Sequence, residues 1–128
     1  MALTVGSGPF GRSPGGRFNF SYRSPAHVVY IEDAPRRVRV KVAGRVVADS
    51  RRMKLLHETG LMPVYYFPKD DVDAAALAPS DTRTSCPFKG EASYHHLVVG
   101  DRRVEDAAWY YPSPNPEVPD LQDRIAFY

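Results

Sequence analysis

The chain has one cysteine among its 128 residues, Cys86, so no intrachain disulfide can form and folding cannot depend on one. No apolar run approaches the ~20 residues that a membrane helix needs, which excludes a helical span. Near Met1 the apolar residues are interrupted at once by Gly6, Gly8, Pro9 and Gly11, unlike the core of a secretory signal, and a cytoplasmic location is the resulting expectation. Cys-x-x-Cys pairs are absent. His95 and His96 are adjacent, which sends them to opposite faces of a strand, so neither zinc nor any other cofactor is expected. There is also no glycine-rich phosphate loop between a strand and a helix, no nucleophile elbow around a serine and no kinase-like set of motifs.

What is present suits a single β-rich domain, since a chain of this length can bury a core without disulfides or a structural metal. Residues 1–26 hold five of the nine glycines and little periodic apolar content, and read as a flexible arm rich in glycine and proline, with the alternating Phe18, Phe20 and Tyr22 as its one strand-like stretch. From residue 27 the pattern changes. Strands are expected at His27 to Ile31 and Val38 to Val42, with a tight turn at Ala43-Gly44 and a return at Val46 to Asp49. Further strands are expected at Lys54 to Glu58, Val64 to Phe67, Tyr94 to Val99, Arg103 to Tyr111 and Ile125 to Tyr128. Asp70 to Ala78 is the one helix candidate, about two turns long, with acidic residues at its start and Pro79 at its end. In the segment between the last two strands, Pro112, Pro114, Pro116 and Pro119 forbid regular sheet pairing.

Residues 38–67 and 94–128 share a hairpin with a glycine turn (Gly44, Gly100) followed by an aromatic-ended strand. This reads as a weak internal duplication: two similar antiparallel β units forming a barrel-like or packed-sheet domain over residues 27–128, with one short helix and a groove at the seam. Chance resemblance of two hairpins is the competing reading. The final strand, Ile125 to Tyr128, would serve as a sheet edge at which a homodimer could form.

The net charge of +2 is small, yet Arg36, Arg37, Arg39, Lys41, Arg45, Arg51, Arg52 and Lys54 lie close in sequence. Alternation with Val38, Val40 and Val42 makes a solvated strand face the plain reading, and a surface for an anionic partner the sharper one. Nucleic acid is disfavoured, because no recognised RNA-binding signature accompanies these residues.

Cys86 sits in Ser80-Asp81-Thr82-Arg83-Thr84-Ser85-Cys86-Pro87-Phe88-Lys89-Gly90, read as a linker between the two units. A cation such as Lys89 or Arg83 lowers a thiol pKa, and thiol catalysis further needs a base, for which His57, His95 and His96 are the imidazoles at hand. A pocket-lining thiol without chemistry is the plainer alternative. Glu58, Glu105 and Asp106 are the carboxylates for acid or base work, Glu58 foremost, while a turn or bulge satisfying backbone donors also accounts for Asp106. Tyr66, Tyr94 and Trp109 suit either core packing or stacking on a ligand, with Lys89 and Arg51 supplying charge. Three functions follow: a domain binding a small polar or anionic molecule at the seam, a small enzyme using Cys86 or Glu58 on that molecule, or a structural or protein-interaction module.

Several motifs in order carry a family likeness: Arg36-Arg37-Val38-Arg39-Val40, Ala48-Asp49-Ser50, Pro63-Val64-Tyr65-Tyr66-Phe67-Pro68, Cys86-Pro87-Phe88-Lys89-Gly90, Ala107-Ala108-Trp109-Tyr110-Tyr111-Pro112 and Ala126-Phe127-Tyr128. From Val28 to Tyr128 the chain resembles the bacterial domain-of-unknown-function 427 family. The resemblance implies a small, mainly β domain without an established biochemical role, and it marks Tyr66, Cys86, Lys89, Gly90 and Trp109 as motif positions. A nucleotidyltransferase label is sometimes attached to that family. This chain lacks the Gly-Ser and paired-Asp arrangement expected for metal-dependent nucleotidyl transfer.

Overall fold

The computed structural model describes residues 27–128. The expected arm and its Phe18, Phe20 and Tyr22 lie outside the described residues. Nine strands carry the fold: β1 (Val29–Ala34), β2 (Val38–Val42), β3 (Arg45–Ser50), β4 (Met53–Glu58), β5 (Val64–Pro68), β6 (Leu77–Cys86), β7 (Gly90–Val99), β8 (Arg102–Tyr110) and β9 (Arg124–Phe127). Seven form one curled, half-barrel sheet in the order β1-β4-β5-β9-β8-β7-β6, and β2 with β3 makes a separate two-stranded sheet. The mainly β, barrel-like class expected from the sequence is what the chain adopts.

Alternation along the strands gives the main sheet two apolar faces. One carries Val29, Ile31, Leu56, Tyr66, Ala92, Tyr94, Tyr111 and Ala126, closed by Val118 and Leu121 from the proline-rich connection. The other carries Met53, Phe67, Ala108 and Ile125, and at its far end Leu97, Val99 and Ala107. The β2–β3 hairpin packs Val38, Val40, Val42 and Val47 onto this second face. We call the two the Tyr66 face and the hairpin face.

The hairpin shows why its residues fold as they do. Val38, Val40 and Val42 are half-buried while Arg39 and Lys41 are exposed. Ala43 and Gly44 both take positive φ, 49° and 79°, the pairing a two-residue turn needs to match strand twist. Its cations are answered locally. Arg37 donates twice to Asp49, at 2.9 and 2.7 Å, Arg39 lies 3.5 Å from the same carboxylate, and Arg45 pairs with Asp73. The Arg37 guanidinium holds the Asp49 carboxyl below the ordinary carboxylate range. These pairs favour the solvated strand face over a free basic surface.

Three local expectations give way. The helix foreseen at 70–78 is two single 3-10 turns, Lys69–Asp71 and Ala74–Ala76, after which the chain enters β6. The acidic residues that suggested a helix start are pinned to β3 instead. Asp71 accepts from Ser50 (2.5 Å) and Arg52 (2.8 Å), Asp73 N donates to Val47 O at 2.8 Å, and Val72 bridges Ala48. Asp73 then caps only its own turn, accepting from Ala75 N at 3.0 Å.

The stretch before Cys86 is a strand, not a linker, pairing with β7 from Arg83↔Ser93 to Cys86↔Gly90. Its hydroxyls concealed an edge strand, because they line the open side of the sheet and five consecutive residues, Asp81 to Ser85, are exposed. β9 is the reverse case, an expected edge that is interior. It pairs with β5 through Phe67↔Ile125 and with β8 through Trp109↔Ala126, which removes the edge proposed for dimerisation and leaves β1 and β6 as the outer strands. The segments 38–67 and 94–128 meet along this β5–β9 pairing.

Asp106 is a bulge residue. Its φ is +48°, its N–H donates to His96 Nδ1 at 3.0 Å, and its carboxylate accepts from Ser80 (2.5 Å) and Thr82 (2.7 Å). Those hydroxyls hold its carboxyl below the usual range, and the register of β7 against β8 shifts between His95 and Leu97. Glu105 beside it is exposed and pairs with Arg103.

Candidate functional site

On the Tyr66 face the alternation of four strands sets polar side chains toward one another. Leu56 and Glu58 leave β4 on this side, Val64 and Tyr66 leave β5, Ala92 and Tyr94 leave β7, and Trp109 leaves β8. Thr84 and Cys86, two apart on β6, share it as well: Thr84 Oγ1 lies 2.8 Å from Tyr94 Oη, and Cys86 packs against the Tyr66 cluster.

Glu58 is the charged centre. Its side chain is 4% exposed, its Oε1 accepts from Lys89 Nζ at 2.6 Å and its Oε2 lies 2.8 Å from His27 Nε2. Lys89 reaches it from the turn between β6 and β7, and Phe88 of that turn stacks on the His27 ring with centroids 4.0 Å apart. A carboxylate taken out of water is costly unless its oxygens are bonded, and both oxygens here are.

The aromatic groups form the wall. Trp109 Nε1 donates to Tyr66 Oη at 3.3 Å with the two rings edge to face, 6.4 Å between centroids. The Trp109 ring also meets Tyr128, at 4.5 Å. Burial pushes the Tyr66 hydroxyl well above the ordinary phenol range; the Trp109 hydrogen bond opposes this, and the nearby negative charge of Glu58 adds to it. Tyr111 is raised in the same way, by burial first and then by Tyr66, Cys86 and Glu58. Both phenols therefore stay protonated at neutral pH and can donate as well as accept.

The turn that presents Lys89 is held by the proline-rich segment. Asn115 N donates to Lys89 O at 2.9 Å, and Asn115 Nδ2 to Pro87 O at 3.1 Å. Gly90 closes the turn at φ +120°, where a Cβ would lie 3.2 Å from Ser113 O and 3.4 Å from Asn115 Oδ1. Gly90→Ala is expected to lower stability by about 1–3 kcal/mol, through strain and this backbone contact. Gly100→Ala, at φ +57° with nothing within 4 Å of the added carbon, should cost less. Urea midpoints of the two variants check the order.

Of the seven residues singled out in the sequence, Cys86, Glu58, Tyr66, Lys89, Trp109 and Tyr94 share this face, and Arg51 does not. Arg51 is exposed on the turn between β3 and β4, where it lines a separate cavity of about 310 Å³ with Asp33, Lys54 and Arg124. The turn directs it away because Arg52 N is bound by Ser50 Oγ at 2.9 Å. The imidazoles considered as bases for Cys86 are engaged elsewhere: His57 with Glu32 (3.1 Å), His95 stacked on Tyr110, and His96 at Asp106 and Glu105. Lys89, expected to act on the thiol, bonds Glu58 instead. Sequence reading missed His27, Thr84, Phe88 and Tyr111 as neighbours of the site. Thr84 was legible in principle, two residues before Cys86 on the same strand; His27 was not, since its approach to Glu58 depends on the pairing of β1 with β4.

Among the described residues no three His, Cys, Asp or Glu side chains gather so as to hold a metal ion. No helix among them is long and apolar enough to cross a membrane.

A curled antiparallel sheet with a buried, paired carboxylate among protonated phenols defines a small β domain with a polar cluster on one sheet face. The chain belongs to the family described as domain of unknown function 427, whose sequence profile matches residues 30–128. No curated protein sequence matches the chain.

Proposed function

We propose that the domain binds a small polar molecule on the Tyr66 face, with Glu58 and Lys89 as its charged pair and Tyr66, Tyr94 and Trp109 as its walls. The burial of the Glu58–Lys89 pair supports this reading most. Well-packed apolar residues stabilise a core as well as a buried ion pair does, or better, so packing alone gives no reason to keep one there. Lys89 suits an anionic group, Glu58 a donor, and the neutral phenols either. Cys86 is a lining residue in this account.

The test is native mass spectrometry of the protein together with thermal shifts against small organic acids, sugars and amino acids, repeated with Glu58→Gln and Lys89→Met. A bound species, or a ligand-induced rise in melting temperature that both variants reduce, is the expected result. Shifts that are absent throughout, or identical in wild type and variants, would sink the proposal. The enzyme reading keeps Glu58 as a base, since its charge bears on the Tyr66 and Tyr111 hydroxyls. For Cys86 it requires alkylation of the folded protein faster than that of an ordinary thiol at the same pH.

A further inference from the structure

Where β7 and β8 lose their regular pairing, one nitrogen faces two groups that need opposite things from it. His96 Nδ1 accepts the backbone N–H of Asp106 at 3.0 Å, and the same atom lies 2.7 Å from Glu105 Oε2. The first contact requires a lone pair on Nδ1 and the second requires a proton there. A neutral ring protonated on Nε2 satisfies the first, an imidazolium the second. Imidazole is also the side chain whose charge changes most readily between pH 5 and 8.

The backbone that this nitrogen holds is irregular on both sides. Asp106 has a φ of +48°, which residues with a side chain seldom adopt. The register of β7 against β8 shifts between His95 and Leu97, and that of β6 against β7 between Pro79 and Arg83. Ser80, Asp81 and Thr82 therefore fall in a gap of the outer ladder. The Asp106 carboxylate clasps them, accepting from Ser80 Oγ at 2.5 Å and Thr82 Oγ1 at 2.7 Å, and Ser80 Oγ accepts in turn from Thr82 N at 3.0 Å.

The charges around the ring leave His96 as the group that changes. Ser80 and Thr82 hold the Asp106 carboxyl below its usual range, so it stays ionised at pH 5. Burial disfavours the charged form of His95, the neighbour on β7, and raises the Tyr128 hydroxyl, which also feels the Asp106 charge. Arg83 is bound to the carbonyls of Ser80 (2.8 Å) and Thr82 (2.7 Å). Arg103 takes Glu105 Oε1 at 2.6 Å, which leaves Oε2 to His96. Asp106 Oδ1 is farther from the ring nitrogen, at 3.5 Å, and already accepts from Ser80.

From these two exclusive contacts on one atom we infer that His96 is a protonation switch on the Asp106 bulge. Neutral, it accepts the Asp106 N–H and holds the bulge closed. Protonated on Nδ1 by solvent, it donates to Glu105 Oε2 instead, deprives the Asp106 N–H of this acceptor and loosens the clasp on residues 80–82 of the outer strand. The switch is independent of the Tyr66-face reading and stands or falls separately.

Histidine ¹⁵N spectra and amide hydrogen exchange between pH 8 and 5 test it. At pH 8 the His96 ring should carry its proton on Nε2. As the ring takes up its second proton, the protection factor of the Asp106 amide, corrected for intrinsic exchange at each pH, should fall about three- to tenfold, the loss expected for one hydrogen bond. The Thr82 amide should lose protection over the same range. His96→Asn places an amide oxygen near the position of Nδ1 and does not titrate, so its Asp106 protection should stay constant. Glu105→Gln should move the wild-type transition to lower pH, because the imidazolium loses its carboxylate. The inference is overturned if the neutral ring carries its proton on Nδ1, if the Asp106 or Thr82 protection is unchanged across the His96 transition, if it falls equally in His96→Asn, or if Glu105→Gln leaves the midpoint in place.

Discussion

Replacing Glu58 with alanine is expected to destabilise the domain by about 3–5 kcal/mol, because it strands the Lys89 ammonium where water reaches it poorly. The Lys89 side chain is only 12% exposed and its nitrogen lies 2.6 Å from the carboxylate it would lose. His27 would lose its partner in the same step, and with it part of the contact that fixes the Phe88 ring. Lys89→Met should cost a comparable amount by stranding the carboxylate. The double variant Glu58→Leu with Lys89→Met removes both charges and is expected to recover most of the loss, since two apolar side chains of similar volume need no desolvation. Urea unfolding of the three variants measures this as a coupling energy. Recovery in the double variant together with loss of any ligand shift would mean that the pair is kept for binding. A double variant as unstable as either single one would instead make the pair a structural element of the fold, and the proposed function would lose its main support.

The sequence disclosed the mainly β class and which side chains share a face better than the order of the strands, and the reason is physical. Side-chain alternation is local, so the valines of β2 and the aromatic residues of β5 and β8 could be assigned to faces from spacing alone. Pairing is not local. That β9 lies between β5 and β8 follows from contacts between residues about 20 to 60 apart, such as Phe67↔Ile125 and Ala108↔Phe127, which no window along the chain contains. The Cys86 strand was hidden by composition, because Ser80 to Ser85 combines turn-forming residues with the open edge of a sheet, where polar side chains are also favoured. At 70–78 the acidic residues were read as suiting the positive N-terminal end of a helix, whose backbone N–H groups they would face. The donors proved to be Ser50 and Arg52 of a neighbouring strand connection rather than the segment's own backbone. Arg51 was chosen for its charge, which carries no directional information. Its neighbour Arg52 is the one tied to Asp71.

Tyr66→Ala should be as damaging as the loss of Glu58, about 3–5 kcal/mol, since Tyr66 is 1% exposed, is the largest fully buried side chain of the domain and packs in the cluster of Val29, Leu56 and Leu121. Tyr66→Phe separates the ring from its hydroxyl. It keeps the edge-to-face contact with Trp109 and removes the oxygen that accepts the indole N–H at 3.3 Å, leaving that donor without its partner. The expected cost is about 1–2 kcal/mol, with a change in Trp109 fluorescence as the environment of its nitrogen alters. Because Trp109 is the only tryptophan, the signal has a single source. The ratio of the two losses is the informative quantity. A Phe variant as stable as wild type, with unchanged emission, would reduce Tyr66 to a packing residue and weaken the case for a polar wall. A Phe variant that keeps most of the stability yet abolishes the ligand-induced thermal shift would place the Tyr66 hydroxyl in contact with whatever the domain binds.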